Sequence, residues 1–275
     1  MATPKTPATT PKTKPKPRPK PKPPAFVLPG AGPVRRYLAE TRDPLYAALL
    51  VLPLVLGYSL GAWALDWTSL NGVDFATPLL LEFFGLTGYL YFNLGLVAVA
   101  VGVAVWLRVQ RGHLRLELLA PMVLESVVYA VLMGIVILFV LKSATPFLAA
   151  LAEALKPSAA AGAYGDLAPL EKLTLSAGAG FYEELVFRLV LLGGTRWLMV
   201  RTLGLGPVAG WVFAVLGTSI VFSLVHYLGD ESFELYSFFF RTLAGLYFAT
   251  IYAVRGFAVA AWTHAIYDVI VMFGG

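Results

Sequence analysis

Long apolar stretches separated by short polar connections dominate the chain. They run approximately over residues 45–65, 86–107, 119–141, 173–195, 207–228, 234–254 and 257–273. Each falls in the range of lengths that crosses a hydrocarbon core of roughly 30 Å as a helix. The alternation of apolar and polar positions expected of a membrane β-barrel is absent. Helices are therefore the spanning form, since each satisfies its backbone hydrogen bonds internally. The pattern predicts an all-α membrane protein with about seven transmembrane helices. The fourth and seventh stretches are the least hydrophobic, as expected of spans that carry working polar groups around a polar intramembrane cavity.

Composition agrees with this reading: 58% of residues are hydrophobic and 13% are charged, against about 25% charged in soluble domains. The net charge of +5 misleads. Residues 1–25 hold seven basic residues and no acidic one, and the remainder is close to neutral. That Pro/Lys/Thr tail cannot bury a core, so a disordered basic tail over 1–25 and a polytopic membrane domain over 26–275 are expected. Nucleic-acid binding has no support outside the tail. The lipid bilayer is the expected surrounding; the tail fits a solvated segment that helps set topology, or one attracted to anionic headgroups. The absence of cysteine excludes disulfides, thiolate catalysis and palmitoylation of the chain.

Loop charges set an orientation. Arg35, Arg36 and Arg42 precede the first stretch. Arg108, Arg111 and Arg115 follow the second, Arg196 and Arg201 the fourth, and Arg255 the sixth. The opposite connections carry Asp66, Asp74 and Glu82, then a segment of mixed charge from Lys142 to Lys172, then Asp230 and Glu231. This alternation predicts a cytoplasmic N-terminus and an outside C-terminus. Segment 74–84 fits either a connection or a short re-entrant piece. Phe147, Leu148, Leu151 and Leu155 fit one face of an interfacial helix, or an ordinary connector. Gly57 and Gly61 form a small-xxx-small pair that permits close helix approach.

Within the fourth stretch stand Glu183, Glu184 and Arg188. A charged side chain at mid-membrane costs at least ~2.5–3.5 kcal/mol, so three together require a reason. Glu184 and Arg188 are four apart and can form an ion pair on one helix face. Glu183 is rotated by about 100° on an α-helix, so it can stay available as a general base. Phe222 and His226 share a face of the fifth span, as do His264 and Asp268 in the seventh. A carboxylate four residues from an imidazole can fix its tautomer and orientation. Arg241 in the sixth span and Glu125 in the third are expected to pair as structural charges, and His113 to be solvated. Taken singly, each of these residues also fits packing or helix-end hydrogen bonding.

Glu183-Glu184-x-x-x-Arg188, Phe222-x-x-x-His226 and His264-x-x-x-Asp268 together resemble, in order, three motifs of the CPBP intramembrane proteases. That family includes the type II CAAX prenyl endopeptidases, abortive-infection-like proteins and myxosortase-type members. The resemblance covers a core of about 170–273. It implies a glutamic-type intramembrane endopeptidase without a metal or other cofactor, acting on a membrane-anchored or lipidated protein substrate near its C-terminal end. It further implies that Glu183 and His226 activate water, that His264 and residue 268 stabilise the oxyanion, and that Glu184, Arg188 and Phe222 support them. The CAAX endopeptidases carry Asn where this chain has Asp268. An ionised aspartate cannot donate to an oxyanion, so Asp268 is expected to orient His264 and leave the imidazole as donor.

Other chemistries fit less well. The His-Glu-x-x-His motif of a zinc protease is absent, although two histidines and a glutamate are a legitimate zinc shell. Ser176 lacks the setting of a serine nucleophile, and Asp268 has no partner aspartate in a second span. A non-proteolytic relative acting as an immunity or scaffold protein remains an alternative. So does a proton-coupled transporter, though no internal repeat supports it. Residue usage and compact loops point to a bacterial inner membrane.

Overall fold

Pro33 opens the first helix, α1 (Pro33–Glu40), at a position where a missing backbone N–H removes nothing from the helix. The computed structural model describes residues 32–74, 76–111, 115–143, 167–228 and 232–274. The basic tail, His113 and the segment around Phe147–Leu155 lie outside the described residues.

Asp43 caps α2 (Pro44–Ala64), accepting from the Leu45 N–H at 3.0 Å, which satisfies one orphan donor of the first turn. Helix α3 (Ala76–Arg111) is broken at Gly85, whose φ of 63° only glycine adopts without strain. Residues 76–84 therefore form a separate short helical segment. Helix α4 (Leu119–Ser143) follows a single 3₁₀ turn at Leu116–Leu118. Helix α5 covers residues 169–202. It starts as an α-helix at Pro169–Gly178 and then widens into π-helical turns over Ala179–Glu183 and Leu185–Leu192. Helices α6 (Pro207–Val225), α7 (Leu235–Arg255) and α8 (Phe257–Gly274) complete the bundle.

Helices α2, α3, α4, α6, α7 and α8 are long and apolar enough to cross a membrane. The remaining expected span, the fourth (173–195), falls within α5, which differs from the other six because charged residues and π turns interrupt its centre. The described residues are helical, and no strand occurs among them. The chain is an integral membrane protein.

Helix α8 packs against α2, α4, α5 and α7, and α6 packs against α7. One buried cluster joins Leu50 and Leu54 of α2 to Met122 of α4 and Val259 and Ala261 of α8. Another joins Met133 and Ile137 of α4 to Ala244 and Phe248 of α7. Helix α3 is peripheral and exposes Phe83, Leu94, Val99 and Trp106, as a lipid-facing helix should.

Two glycines set the helix spacing around α5. A Cβ on Gly61 would lie 2.0 Å from Thr174 Oγ1, whereas one on Gly57 would meet nothing within 4 Å. The small-residue pair thus acts through Gly61 alone. A Cβ on Gly180 would lie 2.5 Å from the Ala261 carbonyl oxygen, so Gly180 lets α8 approach the π-helical part of α5.

One expected pairing differs. Glu125 pairs with Arg255, whose Nη2 lies 2.8 Å from Oε2. Arg241 sits four helical turns from Arg255 on α7, about 21 Å away at 1.5 Å per residue, and lies against the cavity described below. Glu125 also accepts from Tyr37 Oη (2.8 Å) and Tyr129 Oη (2.7 Å), while Arg255 Nη2 donates to Thr41 Oγ1 (2.8 Å). This cluster fastens α1 to α4 and α7. Arg42 Nη2 donates to the Ala253 carbonyl (3.0 Å), and Arg115 pairs with Glu40 (3.1 Å). These arginines gather at one end of the bundle.

Candidate active site

The π-helical turns of α5 hold both glutamates in the protein interior: Glu184 is 0% and Glu183 8% exposed. A π turn holds more residues than an α turn, so the two side chains diverge by less than the ~100° of an α-helix. Both consequently point into the bundle and take different partners.

Glu184 joins a guanidinium and an imidazole. Its Oε2 lies 3.2 Å from Arg188 Nε, and its Oε1 accepts from His264 Nδ1 at 2.9 Å. The Arg188 guanidinium is enclosed by aromatic rings, 4.6 Å from the Phe222 centroid and 5.2 Å from that of Phe248. A planar, weakly hydrated guanidinium suits such an enclosure. Phe248 also stacks on the His264 ring at 4.3 Å and 20°. His264 is thus fixed by a stacking face and by one hydrogen bond through Nδ1, which leaves Nε2 pointing away from Glu184.

The hydrogen bond that orients His264 runs from its Nδ1 to Glu184, where the sequence reading expected Asp268. Asp268 shares the helix face, but its Oδ2 lies 3.8 Å from His264 Nε2, beyond hydrogen-bond range. Asp268 stands on the other side of the ring, facing the nitrogen that Glu184 leaves open.

His226 follows directly on the last residue of α6. Its Nδ1–H donates to the Phe222 carbonyl at 2.8 Å, and its ring meets the Phe222 ring edge-on at 5.0 Å. In the neutral ring this bond leaves the Nε2 lone pair free. The His226 and His264 Nε2 atoms each lie 3.8 Å from Glu183 Oε2, an oxygen that is buried and without a hydrogen-bond partner. Three helices thereby bring one carboxylate oxygen and two imidazole nitrogens together, although His226 sits at a helix end and His264 near a helix centre.

These groups line a cavity of about 520 Å³. Asn71, Glu183, His226, Arg241, His264 and Asp268 supply its polar wall, and side chains such as Met133, Phe240, Phe248 and Val271 its apolar one. A larger groove of about 840 Å³, between Arg42, Arg196, Trp211 and Phe257, lies elsewhere and contains none of the expected site residues. Among the described residues, no cluster of three or more His, Asp or Glu side chains is arranged to hold a metal ion.

Sequence reasoning missed Asn71, which donates from Nδ2 to Glu183 Oε1 at 2.9 Å. The Asn71-Gly72 dipeptide was the available signal, because Asn-Gly marks a tight turn after the first span. Nothing local links that turn to a residue of α5.

No curated protein and no solved structure matches the chain. Residues 167–270 match the family model described as "Type II CAAX prenyl endopeptidase Rce1-like", a segment of a little over a third of the chain that includes Glu183, Glu184, Arg188, Phe222, His226, His264 and Asp268. Over this segment the chain is similar to that family of membrane peptidases.

Proposed function

We propose that the protein is an intramembrane endopeptidase of glutamic type, hydrolysing a peptide bond near the C-terminal end of a membrane-anchored or lipidated protein. The observation that carries this reading is the convergence of His226 Nε2 and His264 Nε2 on the unpartnered Glu183 Oε2, each at 3.8 Å. Such a separation is too long for a direct bond. One water making two hydrogen bonds of ~2.8 Å spans about 4 Å.

In this scheme a water donates one proton to Glu183 Oε2 and the other to the lone pair of His226 Nε2. Its oxygen attacks the substrate carbonyl carbon while Glu183 takes the first proton, giving a tetrahedral intermediate. A doubly protonated His264 donates from Nε2 to the oxyanion and from Nδ1 to Glu184. One such donor typically contributes ~2.7–4 kcal/mol of transition-state stabilisation. The C–N bond then breaks as Glu183 returns its proton to the leaving amine, so water is consumed and a carboxylic acid and an amine are released. Asp268 faces His264 Nε2 and balances the charge of the protonated ring. Arg188 neutralises Glu184, and Phe222 carries the carbonyl that fixes the His226 tautomer.

The working core is residues 170–273, set within a membrane domain over 26–275 and preceded by a basic tail over 1–25. The gathering of Arg42, Arg115 and Arg255 at the end that holds α1 supports a cytoplasmic N-terminus and an outside C-terminus. A bacterial inner membrane is the proposed location, and the substrate belongs to the same bilayer.

Glu183→Gln tests the reading. The membrane proteomes of cells making wild-type and variant protein at equal levels are compared by mass spectrometry of protein C-termini. C-terminally shortened membrane proteins are expected with the wild type and absent with the variant. Identical C-termini in both would overturn the protease assignment in favour of a scaffold. Proton flux into liposomes that Glu183→Gln abolishes would overturn it in favour of a transporter.

A further inference from the structure

Asn71 lies well before the family-matched segment, on the connection between α2 and α3, yet it reaches the reacting carboxylate. Its Nδ2 donates to Glu183 Oε1 at 2.9 Å. Its Oδ1 accepts from the Val73 N–H and its own N–H donates to Tyr58 Oη, both at 3.0 Å. The bond from Val73 identifies the amide oxygen, so the NH₂ group must be the end that faces Glu183.

The rest of the connection is fixed as firmly. Tyr58 is fully buried and donates to Asp74 Oδ2 at 2.8 Å, while Asp74 Oδ1 accepts from the Thr77 N–H at 3.0 Å. Asp74 thereby caps the start of α3. The Tyr58 ring packs on α5 where a Cβ at Gly178 would come within 2.6 Å of it. Tyr58, the connection and the first π turn of α5 thus form one packed unit, with Asn71 at its contact with Glu183.

We infer that Asn71 is a positioning residue of this enzyme. It holds Glu183 Oε1, so that Oε2 alone is presented to His226 and His264. The inference rests on the proposed hydrolysis by Glu183 and adds a requirement to it: the working site extends beyond residues 167–270 and is incomplete without the α2–α3 connection. A carboxylate free to rotate would present either oxygen at varying angles to the two rings. Holding one oxygen fixes where the transferred proton is collected and from where it is returned. Misplacement on this scale can cost up to about 100-fold in rate.

Asn71→Asp separates positioning from support of the fold. The introduced carboxyl keeps the acceptor for the Val73 N–H, but when ionised it cannot donate to Glu183. The probe is a synthetic lipid-anchored peptide carrying the cleavage-site sequence of a protein shortened in cells by the wild type. Rates are measured in liposomes with wild type, Asn71→Asp, Asn71→Ala and Glu183→Gln. With Glu183→Gln inactive, both Asn71 variants are expected to lose roughly 10- to 100-fold in kcat with KM within about twofold. The activity of Asn71→Asp relative to wild type should rise as pH falls from about 8 to 5, because the introduced carboxyl, set against the Glu183 carboxylate, takes up a proton more readily than a free aspartate and so regains a donor. Asn71→Ala should show no such rise. If Glu183→Gln is inactive while both Asn71 variants match wild type, the positioning role is overturned and the proposed hydrolysis stands. A loss in Asn71→Asp that tracks a fall in thermal stability, without recovery at low pH, also overturns it. Cleavage retained by Glu183→Gln, or the lack of any shortened protein, overturns both.

Discussion

His264 Nδ1 and Glu184 Oε1 lie 2.9 Å apart, and the other oxygen of the same carboxylate lies 3.2 Å from Arg188 Nε. Glu184 therefore has two jobs that substitution can separate. Glu184→Gln leaves Arg188 buried without its counter-charge, which costs about 3–5 kcal/mol in typical buried pairs. Adding Arg188→Met removes the stranded charge and should restore most of the lost thermal stability. Activity should not return in the double variant, because a neutral amide then replaces the charged oxygen that holds His264 Nδ1–H. Thermal unfolding in detergent micelles and peptide hydrolysis measure the two properties separately. Recovery of both together would show that Glu184 only braces the helix.

The Glu125–Arg255 cluster gives the opposite expectation. It lies at the arginine-bearing end of the bundle, outside the residues lining the cavity, and ties α1 to α4 and α7. Glu125→Gln should destabilise the protein by about 3 kcal/mol while the folded fraction keeps its kcat and KM. An unfolding midpoint that falls with no change in hydrolysis per folded molecule is the expected result.

Tyr37 links that cluster to alkaline pH. Burial, and then its hydrogen bond to Glu125, push the phenol from about 10 up to about 12. A group whose pKa is raised on folding stabilises the protein fully below its unfolded value and loses that contribution as pH rises through the folded value. Stability should thus fall between about pH 10 and pH 12. Tyr37→Phe should be less stable than wild type at pH 9 and show a shallower fall over that window. Unfolding midpoints measured at several pH values compare the two slopes.

Much of this molecule was legible in its sequence because hydropathy and spacing report local relationships. Apolar runs marked six spans that meet the length and hydropathy of a membrane helix, and the four-residue spacing of Glu184 and Arg188 anticipated their contact. Two features escaped for physical reasons. The π-helical turns leave no mark on apolar periodicity, so the partners of Glu183 and Glu184 could not be assigned from an α-helical wheel, and Asp268 received the orienting role that Glu184 has. Asn71 meets Glu183 across 112 residues of chain, and a lone Asn-Gly turn predicts where the chain bends but not what it touches. Arg255 counted as a loop charge in the sequence, yet packing buries it against Glu125.

Helix spacing around the π turns supplies the last test. A Cβ on Gly180 would stand 2.5 Å from a backbone carbonyl of α8, an atom that cannot swing aside, whereas a Cβ on Gly57 meets open space. Gly180→Ala must push α5 from α8, the two helices that carry Glu184 and His264. Overpacking of this kind costs about 1–3 kcal/mol, and a shift of a few tenths of an ångström already lengthens the 2.9 Å bond between those residues. Catalysis should suffer more than stability, with kcat falling at least about tenfold by the dependence of rate on alignment. Gly57→Ala, in a helix interior that favours alanine by roughly 0.5–1 kcal/mol, should leave activity unchanged and stability equal or higher. Equal activity of the two variants in the peptide assay would mean that the distance between α5 and α8 does not govern the site.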